Sequence, residues 1–304
     1  MEELFLKAKD GYNLFLNIYD IKNPKAVVQI AHGMEEHQGR YADFAKMLNE
    51  HGFAVISADM RGHGKYARTL GFFKRKNGYK ALVSDQIKIT NFIKQRYKDL
   101  PLYLFAHSMG SIITRVVLQT HSKKYNKVVL SGYPNYKAAA KMGILIADKL
   151  TEKYGAKYKS KTMRDLEFKF FNFFVWNPKS RVDWMCYDTN VIEKYLDDPY
   201  CGFGFTSSAF SDLFKLVVQM HNYKDYQKVN ESLPILMIRG TDDPSTGGKL
   251  GATDSIKVLE KAGFKNITKI DYEKMRHEVI NEISKEMVYD DIIHFFNDQV
   301  ISLG

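Results

Sequence analysis

The sequence predicts an α/β architecture: a mostly parallel central sheet flanked by helices, interrupted once by an inserted helical segment. Three observations predict it. Short apolar runs of the kind buried on both faces, namely Ala26–Ala31 (AVVQIA), Phe53–Ala58, 101–106 (PLYLFA) and Lys127–Ser131, alternate with stretches of helical period. Such alternation implies βαβ crossovers and a sheet covered on both sides. The alternation stops at residue 133, gives way to aromatic, strand-poor sequence through 229, and resumes at 234–239 (PILMIR).

Taken in order, residues 3–9 and 13–20 alternate loosely about Asp10-Gly11, a hairpin signal. Residues 41–51 read as a helix closed by Gly52 at its C-cap. The next helix is expected over 81–98, and another follows 101–106 with Ile112, Ile113, Val116 and Val117 on one face. Inside the insertion, 138–150, 168–176 (FKFFNFFVW) and 208–229 look helical. Helices over 252–262 and 284–300 then bracket a strand at 266–272. The expected organisation is one α/β core, residues 1–132 and 230–304, carrying a helical cap over 133–229.

Composition narrows the functional classes. With 304 residues, 45% apolar and including 20 Phe and 19 Tyr, the chain can bury a large core, which excludes global disorder and disulfide-stapled scaffolds. The net charge of +10 is scattered apart from short runs such as Lys74-Arg75-Lys76 and Lys123-Lys124, and no RRM, KH or finger signature accompanies it. A solvated basic surface is expected, with no nucleic-acid partner. Cys186 and Cys201 form no CxxC. Glu2 and Glu3 stand where a secretory signal needs positive charge, and no apolar run approaches the ~18 residues of a membrane span. The reading is therefore of a soluble, cytoplasmic protein.

The chemistry-bearing residues lie just after the strand-like runs. Ala106-His107-Ser108-Met109-Gly110 joins a buried strand to a helix, the setting of a nucleophile elbow. The turn is tight, so its flanks must be small; it lifts the serine hydroxyl to a helix N-terminus, whose free N–H groups favour developing negative charge. A serine is a weak nucleophile until a base takes its proton and a third group orients that base. Gly240-Thr241-Asp242-Asp243-Pro244 and Met275-Arg276-His277-Glu278 supply both at strand ends, in the order Ser108, Asp243, His277. Asp242 and Asp243 adjoin, and spacing does not separate them; the reading favours Asp243 and leaves Asp242 as a turn residue. His32-Gly33-Met34 follows the first buried strand, so the N–H groups of Met34 and of Met109 are the candidate oxyanion donors, and Gly33 lets the backbone approach a carbonyl.

These blocks resemble a known family. His32-Gly33-Met34-Glu35-Glu36-His37-Gln38-Gly39-Arg40-Tyr41 is similar to the HGxxEHxxRY block of the monoacylglycerol lipase and lysophospholipase branch of serine α/β hydrolases, and Asp59-Met60-Arg61-Gly62-His63-Gly64 to its DxRGHG loop. The elbow resembles GHSMGG, with Ala106 for the first Gly and Ser111 for the last. The resemblance runs from residue 32 to 278. It implies an α/β-hydrolase fold with a variable cap, a triad Asp at Asp243, and hydrolysis of a carboxylic ester, often of a single-chain lipid, without metal or organic cofactor. Glu36, His37 and Arg40, with Gly33, are candidate substrate-binding residues near the mouth; bracing of the loop is the other reading of the first three.

Other signals carry less. His277 to Asn281 resembles HExxH, but Asn281 replaces the second metal ligand. Gly202-Phe203-Gly204 lacks the third Gly of a dinucleotide loop. Most aromatics of 168–176 are expected to pack the cap inward, with some lining an acyl tunnel together with Met142, Ile144, Leu145 and Ile146. Lys153, Lys157, Lys159, Lys161 and Arg164 make transient contact of the cap with an anionic lipid surface an expectation too. The rivals are a short-chain or aryl esterase and a peptidase, which needs an acidic residue for a free amine such as Glu193 or Asp197. Oligomeric state is not legible.

Overall fold

The computed structural model describes residues 1–300, and within that span all side chains except those of Glu167 and Phe168. Its strands are β1 (Glu2–Lys7), β2 (Asn13–Tyr19), β3 (Ala26–Ala31), β4 (Phe53–Ala58), β5 (Leu102–His107), β6 (Lys127–Ser131), β7 (Ile235–Gly240) and β8 (Ile267–Tyr272). They form one sheet in the order β1-β2-β4-β3-β5-β6-β7-β8. β1 and β2 form the expected hairpin, β2 pairs antiparallel with β4, and every later pairing is parallel.

The pleat explains why β3 to β7 read as continuous apolar runs. Val27, Leu104, Val128 and Met237 feed one core layer, under α2 (Gly78–Arg96), α3 (Met109–His121) and α8 (Gly248–Lys261). Their neighbours Val28, Phe105, Val129 and Leu236 feed the other, under α1 (Ala42–Glu50) and α9 (Lys285–Phe296). A strand covered on both faces has no solvent side on which polar residues could alternate. Each fully buried Val, Leu or Ile is worth roughly 1.5–3 kcal/mol relative to exposure.

Between β6 and β7 lie α4 (Ala139–Tyr154), α5 (Lys161–Asn172), α6 (Thr189–Asp197) and α7 (Ser207–His221). α7 buries Ala209, Phe210, Leu216 and Met220 in the layer that holds α3. α4 crosses it closely at Gly143, where a Cβ would meet the Phe214 ring at 2.6 Å. Several boundaries differ from the sequence pattern. α2 begins three residues early because the Asp212 carboxylate, on α7, faces the N–H groups of Gly78 and Tyr79, so close that a Cβ at Gly78 would lie 2.1 Å from its Oδ2, a tertiary cap that local sequence does not show. α5 starts at Ser160, whose hydroxyl accepts from the Met163 N–H, and stops at Asn172, whose amide donates to Ser180 O at 2.7 Å. The chain therefore turns outward within the aromatic run: Phe173 is 83% and Trp176 96% exposed, so packing inward is not the rule there, and the Phe168 side chain lies outside the described residues. Among the described residues, no helix is long and apolar enough to cross a membrane.

Candidate active site

The carboxyl ends of β3, β5, β7 and β8 meet at one rim of the sheet, where a parallel sheet places its site. Ser108 sits between β5 and α3 at φ +50°, ψ −118°, a backbone conformation that costs of order 1–3 kcal/mol. The surroundings fix it: Ser108 N–H donates to Ser131 O at 3.0 Å, and at Gly110 a Cβ would lie 2.2 Å from Ala31 O.

The three distant side chains come together here. Ser108 Oγ is 2.8 Å from His277 Nε2, and His277 Nδ1 is 2.9 Å from Asp243 Oδ2. Asp243 also caps the 3-10 turn Pro244–Thr246, its Oδ1 accepting from Ser245 N–H at 2.8 Å, and Ser245 Oγ lies 3.1 Å from His277 Nδ1. Burial alone would raise the Asp243 carboxyl; the facing imidazole and the Ser245 hydrogen bonds outweigh it and hold it below the usual range. For His277 burial disfavours the imidazolium, but Asp243 more than offsets this, so its pKa is raised. Asp242 takes no part: it is exposed and accepts from Tyr187 OH at 2.7 Å.

The loop after β3 is built just as tightly. His32 Nε2 accepts from Met60 N–H at 2.9 Å and Nδ1 donates to Gly33 O at 2.8 Å; burial takes its pKa down to about 4, so it braces the loop as a neutral ring. Gly33 N–H donates to Glu36 Oε1, and a Cβ at Gly33 would press on that oxygen at 2.7 Å and on His107 and Ser108 at 3.2 Å. Arg40 bonds Glu36 at 2.6 Å and grips Glu278 with both nitrogens at 2.8 and 2.7 Å; Tyr41 OH donates to Glu36 at 2.8 Å. Burial pushes the Glu36 carboxyl up, yet Arg40 and the nearby imidazoles outweigh it and bring it to about 2.

A cavity of about 460 Å³ opens on Ser108 and His277. Met34 and Met109 line it beside Ser108, as do Gly33 and Glu36, with His107, Asn135, Lys137, Tyr195 and Glu278 as further polar lining. Ile112, Ile146, Met163, Phe171, Phe214 and Val217 contribute an apolar remainder from α3, α4, α5 and α7. His37 and Arg40 stand behind that lining. His37 Nε2 contacts Asp198 Oδ2 at 2.8 Å and its Nδ1 accepts from Gly39 N–H at 3.1 Å. With Cys201 this pair offers three metal-type ligand atoms within 4.8 Å of one another, but both ring nitrogens are already spent on holding the loop. Glu193 and Asp197 are exposed on α6, outside the lining.

With this geometry in hand, comparison places the chain. The model of the Hydrolase_4 family, described as serine aminopeptidase, S33, matches residues 22–284. The chain belongs to this family. Its fold is that of α/β hydrolases: a solved carboxyl esterase from Bacillus coagulans superposes with a TM-score of 0.89 at 26% identity, covering 98% of each chain. A monoglyceride lipase homolog of monkeypox virus is 32% identical over 135 residues, 42% of this chain and 45% of that relative, so the chain matches under half of its length. A monoacylglycerol lipase of Mycolicibacterium smegmatis is 23% identical over 282 residues, 90% of each. The chain is thus a Hydrolase_4 member with the α/β-hydrolase fold, and its curated relatives include monoacylglycerol lipases.

Four residues of this hydrolase's site carry no signal in the sequence pattern. Tyr195 and Trp184 reach the cavity from the insertion, whose tertiary path no local rule reads. Ser245 is an ordinary turn residue until the fold sets it beside His277. Glu35 sits at φ +54°, is 1% exposed, and neither carboxylate oxygen has a hydrogen-bond partner; the N–H groups of Gly204 and Phe205 and the charges of Lys159 and Arg164 act on it without closing a bond. A rule-breaking residue one position from a candidate oxyanion donor is where local consistency is expected to give way to function.

Proposed function

We propose that this hydrolase cleaves the carboxylic ester of a single-chain lipid, a monoacylglycerol or lysophospholipid, through an acyl-enzyme on Ser108. The observation that carries the reading is the unbroken hydrogen-bond chain Ser108–His277–Asp243, opening on a cavity whose lining is mostly apolar with a few polar side chains. Ser108 Oγ attacks the ester carbonyl while His277 Nε2 takes its proton; Asp243 holds the tautomer and stabilises the imidazolium. The oxyanion rests on the N–H groups of Met34 and Met109. His277 then protonates the leaving alcohol, and water repeats the sequence to release the acid. The base works only as neutral imidazole, so the rate falls as pH drops through its raised pKa.

Gly33 and Glu36 border the leaving alcohol, Arg40 supports Glu36 and Glu278 from behind, and His37 fixes the loop through Asp198. The apolar remainder takes the acyl chain. At ~0.8 kcal/mol per buried CH₂, kcat/KM is expected to rise up to about fourfold per methylene and by more than 100-fold from acetyl to dodecanoyl esters before the cavity is filled. Equal rates across that series point instead to a short-chain or aryl esterase. Amino-acid amides, the test of a peptidase, are expected to stay uncut, because Glu193 and Asp197 lie outside the lining, and Glu36 and Glu278, which do line it, are already held by Arg40.

The segment 133–229 acts in this reading as a cap that meets a lipid surface transiently. Met142, Leu145, Leu166, Phe173 and Trp176 are exposed near Lys153, Lys157 and Lys161 on the same helices and loops. Turnover of substrate carried in anionic vesicles is therefore expected to fall several-fold between low and high salt while turnover of a soluble short ester stays level; salt-independent turnover on both removes the surface contact.

A further inference from the structure

The candidate base lies against an indole. Trp184 and His277 have ring centroids 4.8 Å apart at 39°, and Phe171 of α5 stacks on the indole at 4.4 Å and 24°. Trp184 is 8% exposed and lines the cavity beside the imidazole. What holds it there is specific. The 3-10 turn Asp183–Met185 that carries it is tied to both chain neighbours of His277: Arg276 Nη1 donates to Asp183 O at 2.7 Å, and Glu278 N–H donates to Met185 O at 2.8 Å. The backbone N–H of Trp184 donates in turn to Asn172 Oδ1 at 3.3 Å, at the end of α5, while the indole N–H is buried with no partner among the described residues. A side chain that merely filled space would not need anchors on residues 276 and 278.

We propose that Trp184 is a positioning residue for the general base, holding the His277 imidazole on Ser108 and favouring the imidazolium that forms when the proton is taken. The inference rests on the reading of His277 as that base. An aromatic face attracts a neighbouring cation, more strongly where water is excluded. The groups facing His277 are Asp243 and Ser245 at Nδ1, Ser108 at Nε2, Glu278 and Glu36 through space, and the His107 ring at 4.7 Å. His107 is neutral, burial having taken its pKa down to about 4, so it brings no opposing charge at working pH. The indole is thus the cation-favouring contact beyond the carboxylates. Because Phe171 also lines the cavity, an occupant pressing on α5 is felt by the base through Trp184.

The Trp184→Leu variant is expected to lower kcat about tenfold with KM within threefold, and to move the acid limb of the kcat/KM profile down by roughly half a unit to one unit. Trp184→Phe, which keeps an aromatic face, is expected to restore most of both. A second readout does not depend on turnover. The chain has two tryptophans, and Trp176 is exposed, so in a Trp176→Phe background Trp184 is the sole indole, excited selectively at the red edge where tyrosine does not absorb. Its emission is expected to be quenched as the adjacent imidazole is protonated, with a midpoint on the acid limb, and adding His277→Gln is expected to flatten the titration. An unmoved pH limb in a folded Trp184→Leu enzyme, or emission that ignores His277, overturns the proposal. If Trp184→Leu does not fold, Trp184→Phe and the emission titration decide. Activity that survives Ser108→Ala overturns the reading of the active site itself, whatever the emission does.

Discussion

Replacing Ser108 by Ala is expected to lower kcat on any acyl ester by about 10⁶-fold, with loss of labelling by a fluorophosphonate probe. The size follows from what the side chain is asked to do. On the proposed mechanism, without Oγ no acyl-enzyme forms, and the imidazole of His277 faces substrate with nothing to deprotonate but water. A residual acceleration of about 10³ over the uncatalysed reaction remains, from the oxyanion donors and from binding. The fold is expected to survive: position 108 keeps its backbone bond to Ser131 O, and the change removes one hydroxyl and its 2.8 Å contact with Nε2. A melting temperature within a few degrees of the parent, together with unchanged binding of a non-cleavable lipid analogue, separates lost chemistry from lost structure. Retention of more than about one part in a hundred of the rate means that another nucleophile acts, and the proposed mechanism is then wrong.

How far the sequence reaches toward this picture depends on the distance over which each feature is decided. The parallel sheet is legible because burial on both faces leaves its mark on every residue of a strand: AVVQIA at 26–31 is apolar in runs, and the chain does pass alternate side chains into two layers there. The positions of Ser108, Asp243 and His277 past strand ends are legible for a related reason, since a crossover topology carries the ends of parallel strands to one rim. What is decided between elements is not legible. The early start of α2 depends on Asp212, which is 134 residues distant from Gly78 in the chain and arrives only through the packing of α7. The aromatic run near 168–176 gives amphipathic content but not direction, and the turn at Asn172 sends Phe173 and Trp176 to solvent where inward packing was the simpler expectation. The polar residues near the mouth divide in the same way: Glu36 reaches the lining, whereas Arg40 is held back by two carboxylates, one of them 238 residues away.

The adjoining carboxylates give the second large effect, and the sharper one because a close control lies next door. Asp243→Asn is expected to cost about 10⁴-fold in kcat, while Asp242→Asn stays within threefold of the parent. Asp243 is buried and accepts at Oδ2 from His277 Nδ1 at 2.9 Å, which forces the ring proton onto Nδ1 and leaves the Nε2 lone pair toward Ser108. An amide at 243 can donate from that place; a neutral imidazole that accepts there must carry its proton on Nε2, where it cannot serve as a base. The same substitution leaves the turn intact, since the remaining carbonyl oxygen can still accept from Ser245 N–H, the cap that Asp243 makes for Pro244–Thr246. Asp242→Asn removes only the charge opposite Tyr187 OH on the exposed side of the loop. Removing the carboxylate at 243 also removes what offsets the burial of His277, so the acid limb of the Asp243→Asn profile is expected to move to lower pH even as its height collapses. A pH limb that stays in place while the rate falls assigns the loss to geometry alone; equal losses at 242 and 243 remove the orienting role from Asp243.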